Sequence, residues 1–225
     1  MRFFFFLLLL APSVLAQRNT FDVVVYGATP SGIFAALNAA RQGHSVALVD
    51  EYAHVGGLMT GGLSFTDFLS LEALGGTFNE YRLRAFDHYK TRYGPQSQQA
   101  ADCYFGVNAE PHVTARIFGE MLAEQPAIWV LTRHRLQRAG VLRAEAGSRK
   151  IQSATFLNLG TNQPLTLSGT VFIDATYEGD LAVAAGAEYR VGRESRAEFC
   201  ERFAGHIFTK NGQILPGGTG QGDGR

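Results

Sequence analysis

An α/β fold built on a parallel sheet is what this sequence predicts, and three observations carry that expectation. Phe21–Tyr26 reads FDVVVY, an apolar run rich in β-branched residues that stops at Gly27, as a strand buried on both faces does. From Ser31 to Gln42 the alanines, Ile33, Phe34 and Leu37 recur at helical spacing, and Gly43 sits where a left-handed helix end is expected. Ser45–Val49, SVALV, is a second strand of the buried kind and closes on Asp50. Strand, helix and strand within about 30 residues have the size of a βαβ crossover.

The rest of the chain reads in order from there. Gly56-Gly57-Leu58-Met59-Thr60-Gly61-Gly62 is too rich in glycine for a helix interior and is expected to be a loop in which backbone comes close to another group. Leu71–Tyr93 reads as helix with a break at Gly75-Gly76, and Pro111–Glu124 as a second helix with proline in its first turn. Ala127–Thr132 is a strand. Between about Leu142 and Val171 the pattern becomes a β-meander of short strands, Ala154–Leu159 and Pro164–Leu167, with Gly160, Asn162 and Gly169 as turn signals. Thr170–Asp174, TVFID, is another buried strand, followed by a helix through Ala185.

Composition bounds what such a chain does. Of 225 residues 46% are hydrophobic and 18% charged, with 20 basic side chains against 20 acidic ones, which describes a globular chain of one domain or one domain and part of another. Nucleic acid is not an expected partner, because the arginines of 133–138 and 190–196 are interleaved with apolar residues or followed by acids and form no basic stripe. Arg2, the apolar run Phe3–Leu15 and the small residues Val14 and Ala16 form a secretory signal, cleaved to leave Gln17 first. The run is shorter than the roughly 20 residues of a membrane span. In an oxidising compartment Cys103 and Cys200 pair or stay as free buried thiols; neither lies in a metal-ligand spacing, and no metal is expected.

The turn after the first strand is Gly27-Ala28-Thr29-Pro30-Ser31-Gly32. In a Rossmann-type unit the first glycine makes the tight turn, the second admits the pyrophosphate and the third lets helix and strand pack closely. Here Thr29 stands at the second position. Asp50, 18 positions past Gly32, has the place of an acid that binds the ribose hydroxyls. A GATxxG turn also occurs in NAD(P)-dependent reductases, and that reading stays open. Asp50 argues against NADP, whose extra phosphate a carboxylate repels, and Gly56-Gly57 argues for FAD.

Four ordered motifs, Tyr26–Ile33 (YGATPSGI), His54–Leu63 (HVGGLMTGGL), Glu110–Val113 (EPHV) and Phe172–Leu181 (FIDATYEGDL), resemble the FAD-dependent oxidoreductases of the glutathione-reductase-like Rossmann superfamily. The resemblance implies an α/β, Rossmann-type FAD/NAD(P)-binding parallel sheet with an inserted β-meander. It implies FAD as cofactor, with Gly27, Thr29, Pro30 and Gly32 around the pyrophosphate and Asp50 on the adenosine ribose. Gly56, Gly57 and the following Leu58 to Gly62 would run beside the pyrophosphate and ribityl chain. Leu136, read as the end of the strand begun by Ala127, would meet adenine, and Ala175 and Thr176 would close over the nucleotide. Tyr177 replaces the glycine that follows those two in the wider superfamily.

Flavin itself carries the redox step, so no catalytic side chain is named. His54, His112, Thr66 and Asp67 are weighed as contacts on the flavin side. Glu178 and Asp180 are read as helix-capping acids, and Tyr177 as filling space by the adenine. The expected domains are a signal over 1–16, an FAD domain over 17–189 and the start of a substrate domain over 190–225. The ending GQGDGR reads as entry into that domain, which makes the expected fold C-terminally incomplete. The chain is therefore expected to be a secreted oxidoreductase passing hydride from a small organic substrate to FAD, or a non-catalytic, nucleotide-binding fragment of that family.

Overall fold

The computed structural model describes residues 19–63, 65–143, 149–192, 194–205, 209–211 and 213–214, so the expected signal over 1–16 and the final GQGDGR lie outside the described residues. The chain forms two compact units, Met1–Ala187 and Glu188–Arg225. In the first, β1 (Thr20–Tyr26), α1 (Pro30–Arg41) and β2 (Val46–Val49) are the βαβ unit. Gly43, at φ +89°, ends α1 by donating to the Ala40 carbonyl while His44 donates to that of Ala39, a Schellman pair that turns the chain back toward β2.

Between β2 and β3 (Ile128–Leu131) lie α2 (Gly57–Gly61), α3 (Gly76–Tyr93), α4 (Gln98–Asp102) and α5 (Pro111–Ala123). The glycine-rich passage expected to be a loop thus contains one helical turn. Gly56 enters it at φ +107°, and the Thr60 hydroxyl donates to the Val55 carbonyl, a side-chain bond that closes the turn despite the poor helix propensity of glycine.

After β3 come β4 (His134–Arg143), β5 (Arg149–Asn158) and β6 (Pro164–Asp174), then α6 (Asp180–Ala184), and the sheet runs β3-β2-β1-β6-β5-β4. Two sequence expectations change here. Pro164–Leu167 and Thr170–Asp174 are one continuous strand, whose first half pairs antiparallel with β5 and whose second half pairs parallel with β1. Gly169 is no turn; it lies within β6, paired with Phe21 of β1, and a side chain there would stand 2.9 Å from Cγ2 of Val24. Leu136 also belongs to β4 and not to the strand begun by Ala127, since Arg133 at φ +59° breaks the chain between them. The meander accordingly begins at His134, ahead of the expected Leu142.

The sheet separates two cores. Val23, Val25, Val46 and Leu48 face the helices, where Tyr81 and Phe118 lie 4.9 Å apart and Phe34 meets Phe118 edge-on. Val24, Tyr26, Ala47 and Val49 face the meander, where Tyr26 packs on Phe156 at 5.3 Å. Each fully buried large side chain contributes about 1.5–3 kcal/mol, so the alternation along β1 and β2 fixes which core each residue stabilises. Both cysteines are free thiols, Cys103 buried and Cys200 exposed. In the second unit, α7 (Arg196–Phe199) and the two-stranded β7 (Thr209–Lys210) and β8 (Gln213–Ile214) are the described elements, with Arg190 paired to Glu198 and stacked on Phe199.

Two tyrosines make the first unit sensitive to alkali. Burial pushes the phenols of Tyr26 and Tyr81 up to about 12 each. The unfolded chain ionises near pH 10 and the folded one near 12, so the unfolded state binds fewer protons in that window. Their stabilising contribution is complete below about pH 10 and falls by about 1.4 kcal/mol per pH unit for each tyrosine up to about 12. Denaturant titrations at pH 9, 10 and 11 are expected to show midpoints that hold to pH 10 and then drop. A flat profile through pH 11 contradicts the burial of both rings.

Candidate functional site

The carboxyl ends of β1, β2 and β6 converge on one cleft whose walls include Tyr26, Gly27, Asp50, Tyr52, Thr176 and Tyr177. β1 is flanked by β2 and β3 on one side and β6 on the other, and the crevice at such a reversal of strand order is where open α/β sheets bind ligands. Local chemistry explains why the chain turns so sharply there. Gly27, at φ +100°, has no room for a side chain, because a Cβ would meet the carbonyl carbon and oxygen of Ala175 at 2.6 Å. A Cβ on Gly32 would stand 1.9 Å from the Gly27 carbonyl oxygen. Backbone therefore packs on backbone, and the first turn of α1 is brought up to the cleft.

Thr29, at the middle position of the hexad, is 5% exposed and points inward. Its hydroxyl donates to the Ala175 carbonyl at 2.8 Å and accepts from the Gly32 amide at 3.3 Å, so it caps α1 and ties the turn to the end of β6. Pro30 follows at the first helical position, where its missing N–H costs no hydrogen bond. The amides of Thr29 and Ser31 have no acceptor among the described residues, and the positive end of the α1 dipole lies beside them. Thr29→Gly is expected to lower stability by about 1–2 kcal/mol, through loss of the cap and of the Ala175 bond. Thermal melts of the two proteins check this; a variant as stable as the wild type denies the cap its role.

Asp50 is 8% exposed, and its carboxylate accepts two backbone amides: Oδ2 takes Ala28 N–H at 2.5 Å and Oδ1 takes Tyr52 N–H at 2.8 Å. The acid thus braces the glycine turn from across β2 and still faces the cleft with unused lone pairs. Glu51, Glu178 and Asp180 also line the cleft, and among the described residues no lysine or arginine does. Negative charge on a ligand must then be met by backbone amides at α1, while the acidic wall suits hydroxyls and amines and opposes an extra phosphate on the ribose. Tyr52 accompanies Glu51, and its bond to that carboxylate raises the phenol's pKa.

The glycine doublet joins the same cluster. Gly56 N–H donates to the Ala28 carbonyl at 2.7 Å, a Cβ on Gly57 would stand 3.4 Å from Cα of Thr29, and the Leu58 amide donates to the Tyr177 hydroxyl at 2.8 Å. Three remote segments, 27–32, 56–58 and 175–177, are therefore in direct contact. Leu136 reaches the cleft only through Tyr26, whose hydroxyl accepts the Leu136 amide at 3.1 Å.

Several sequence candidates lie elsewhere. His54 lines the cleft and touches the Tyr52 ring, but His112 is exposed near the start of α5, and neither Thr66, bonded to the Val107 carbonyl, nor Asp67 lines it. Glu178 and Asp180 do not cap α6. Asp174 accepts Ala182 N–H, and the Thr176 hydroxyl accepts the amides of Gly179 and Asp180, so the capping groups sit at the end of β6 and in the turn. Asp174 and Tyr26 were missed in the sequence. Asp174 was legible as a strand-end acid two residues ahead of a threonine, the pattern of an Asx turn.

This fold and cleft define a Rossmann-type, dinucleotide-binding α/β protein. Residues 22–215 match the FAD dependent oxidoreductase family, and the chain belongs to that family. FAD is its cofactor, and the residues present fit the nucleotide half: glycines where side chains would clash, unpaired amides at α1 and a buried acid at β2. Among solved structures the chain is similar to Thermovibrio ammonificans THI4, with a TM-score of 0.52 and 17% identity over 79% of this chain and 67% of that one, a likeness of fold alone. It is also similar to the glycerol-3-phosphate dehydrogenase from Bacillus halodurans complexed with FAD, with a TM-score of 0.47 and 12% identity over 77% of this chain and 38% of that one. No curated protein matches it by sequence.

Proposed function

We propose that the chain is a secreted FAD-dependent oxidoreductase that moves hydride from a small organic substrate to flavin. The observation that carries this reading is the meeting of the glycine turn, Asp50, the Gly56-Gly57 doublet and Ala175-Thr176 at one cleft. Gly27, Thr29, Pro30 and Gly32 frame the pyrophosphate, with the Thr29 and Ser31 amides directed to its charge. Asp50 accepts the ribose hydroxyls with the lone pairs that Ala28 and Tyr52 leave. Gly56, Gly57 and Leu58 run along the pyrophosphate toward the ribityl chain, and Ala175 and Thr176 close the nucleotide from the β6 side. The β4 backbone at Leu136, set by Tyr26, borders adenine. Bound flavin supplies the hydride acceptor; the chain's own residues hold and orient it.

Secretion is supported by Arg2, the apolar run Phe3–Leu15 and the small residues before Gln17. Among the described residues no helix is long and apolar enough to cross a membrane. One purification tests the whole reading. Protein recovered from the medium should begin at Gln17 and be yellow, with flavin near one equivalent, and an organic hydride donor should bleach it without oxygen. Colourless protein that takes up no added FAD refutes the oxidoreductase reading, and an intact Met1 refutes the cleaved signal.

A further inference from the structure

Tyr177 is 56% exposed, yet its hydroxyl accepts the Leu58 amide at 2.8 Å. A Cβ on Gly57, which sits at φ +52°, would stand 2.3 Å from that oxygen and 3.2 Å from Cζ of the ring. Glycine at 57 and tyrosine at 177 are therefore one fitted pair, joined across 119 positions of sequence.

The pair completes a closed circuit of contacts. Ala28 is bonded to Gly56, Thr29 to Ala175, and Tyr177, two residues beyond Ala175, returns to Leu58. The first two links are backbone groups or a buried hydroxyl, whereas the Tyr177 link is a half-exposed side chain. It is the member of the circuit free to swing without unfolding a strand. Gly56 and Gly57 have no side chains to fix their own backbone; the Gly57–Leu58 peptide beside Thr29 is held at its carbonyl by the Thr60 hydroxyl at 3.2 Å and at its amide by the Tyr177 phenol. Tyr177 itself lines the cleft.

Resting on the reading of this cleft as the FAD site, we propose that Tyr177 is a positioning residue. Its hydroxyl holds the Gly57–Leu58 backbone against the fingerprint turn, and its ring must move aside for FAD to leave. A tyrosine that only covered surface would contribute through its ring alone, and loss of the hydroxyl would change nothing.

Tyr177→Phe removes only the hydroxyl at an exposed position, and Tyr177→Ala removes the ring as well. Two measurements on the full chain read the clasp: amide hydrogen exchange at Leu58 without FAD, and the rate at which flavin fluorescence returns when bound FAD dissociates. Tyr177→Phe is expected to speed both about fivefold, the net worth of one ordinary hydrogen bond, and Tyr177→Ala to speed both at least as much. Unchanged exchange in Tyr177→Phe overturns the proposal, as does faster exchange with an unchanged FAD release rate. Wild-type protein that binds no FAD is a different failure: it removes the site reading on which the proposal rests, and it is recognised by the colourless wild type before any variant is compared.

Discussion

Alanine at Gly27 is expected to lower stability by about 4 kcal/mol and to abolish FAD uptake. The left-handed backbone at φ +100° costs an L-residue about 1–3 kcal/mol. The added methyl meets the backbone of Ala175 and Thr176 at 2.6–2.7 Å, and overpacking of that kind costs about 1–3 kcal/mol more. Neither neighbour yields readily, because the end of β6 is paired with β1, the Ala175 amide donates to the Tyr26 carbonyl and the Thr29 hydroxyl is bonded to the Ala175 carbonyl. For a domain of this size the melting temperature falls by roughly 8–16 °C. Gly61→Ala is the control: nothing lies within 4 Å of its Cβ, so the change is neutral or stabilises by up to about 1 kcal/mol. Thermal melts and flavin content of the two variants decide the matter; equal melts would mean that the turn at Gly27 is not held against β6.

Asp50→Asn should cost about 1–3 kcal/mol of stability and more than about tenfold in FAD affinity. The carboxylate accepts an amide on each oxygen, and asparagine has one acceptor. Whichever way its amide is turned, an NH2 group faces the N–H of Ala28 or of Tyr52 in a buried place. The loss therefore appears already without FAD, as a lower melting temperature, and again on titration, because the acceptors proposed for the ribose and the support of the turn go together. A variant that melts like the wild type but binds FAD weakly would make Asp50 a ligand only and deny its bracing of the glycine turn.

The local signals in the sequence were sufficient for the βαβ unit. An apolar strand, a helical repeat and Gly43 each act through neighbours within four or five residues, and the structure has β1, α1 and β2 in those places. Pro111 likewise starts α5, and the expected break at Gly75-Gly76 is where α3 starts. Signals whose partners are remote were misread. Gly169 looks like a turn residue in its own window, and its pairing with Phe21 of β1, remote in sequence, places it inside β6. Glycine content argued against α2, which the Thr60 hydroxyl closes onto Val55. Asp180 resembled a cap by position, while the capping oxygens come from Asp174 and Thr176.

Thr29 and Tyr177 show the same division at the site. In the sequence each is a departure from a glycine, and a departure has no sign until its partner is known. The partners, the Ala175 carbonyl and the Leu58 amide, are 146 and 119 positions away. By itself, then, the sequence determined the fold class, the dinucleotide turn with its acid and the family, because those rest on periodicity and short-range backbone preference. Tertiary structure alone decided that Asp50 accepts the Ala28 amide of the turn, that Thr29 is bonded to the Ala175 carbonyl, and that the Tyr177 hydroxyl accepts the Leu58 amide. Each of these is a hydrogen bond between groups brought together only when β1, β2 and β6 align their carboxyl ends, and no pattern confined to one segment can specify it.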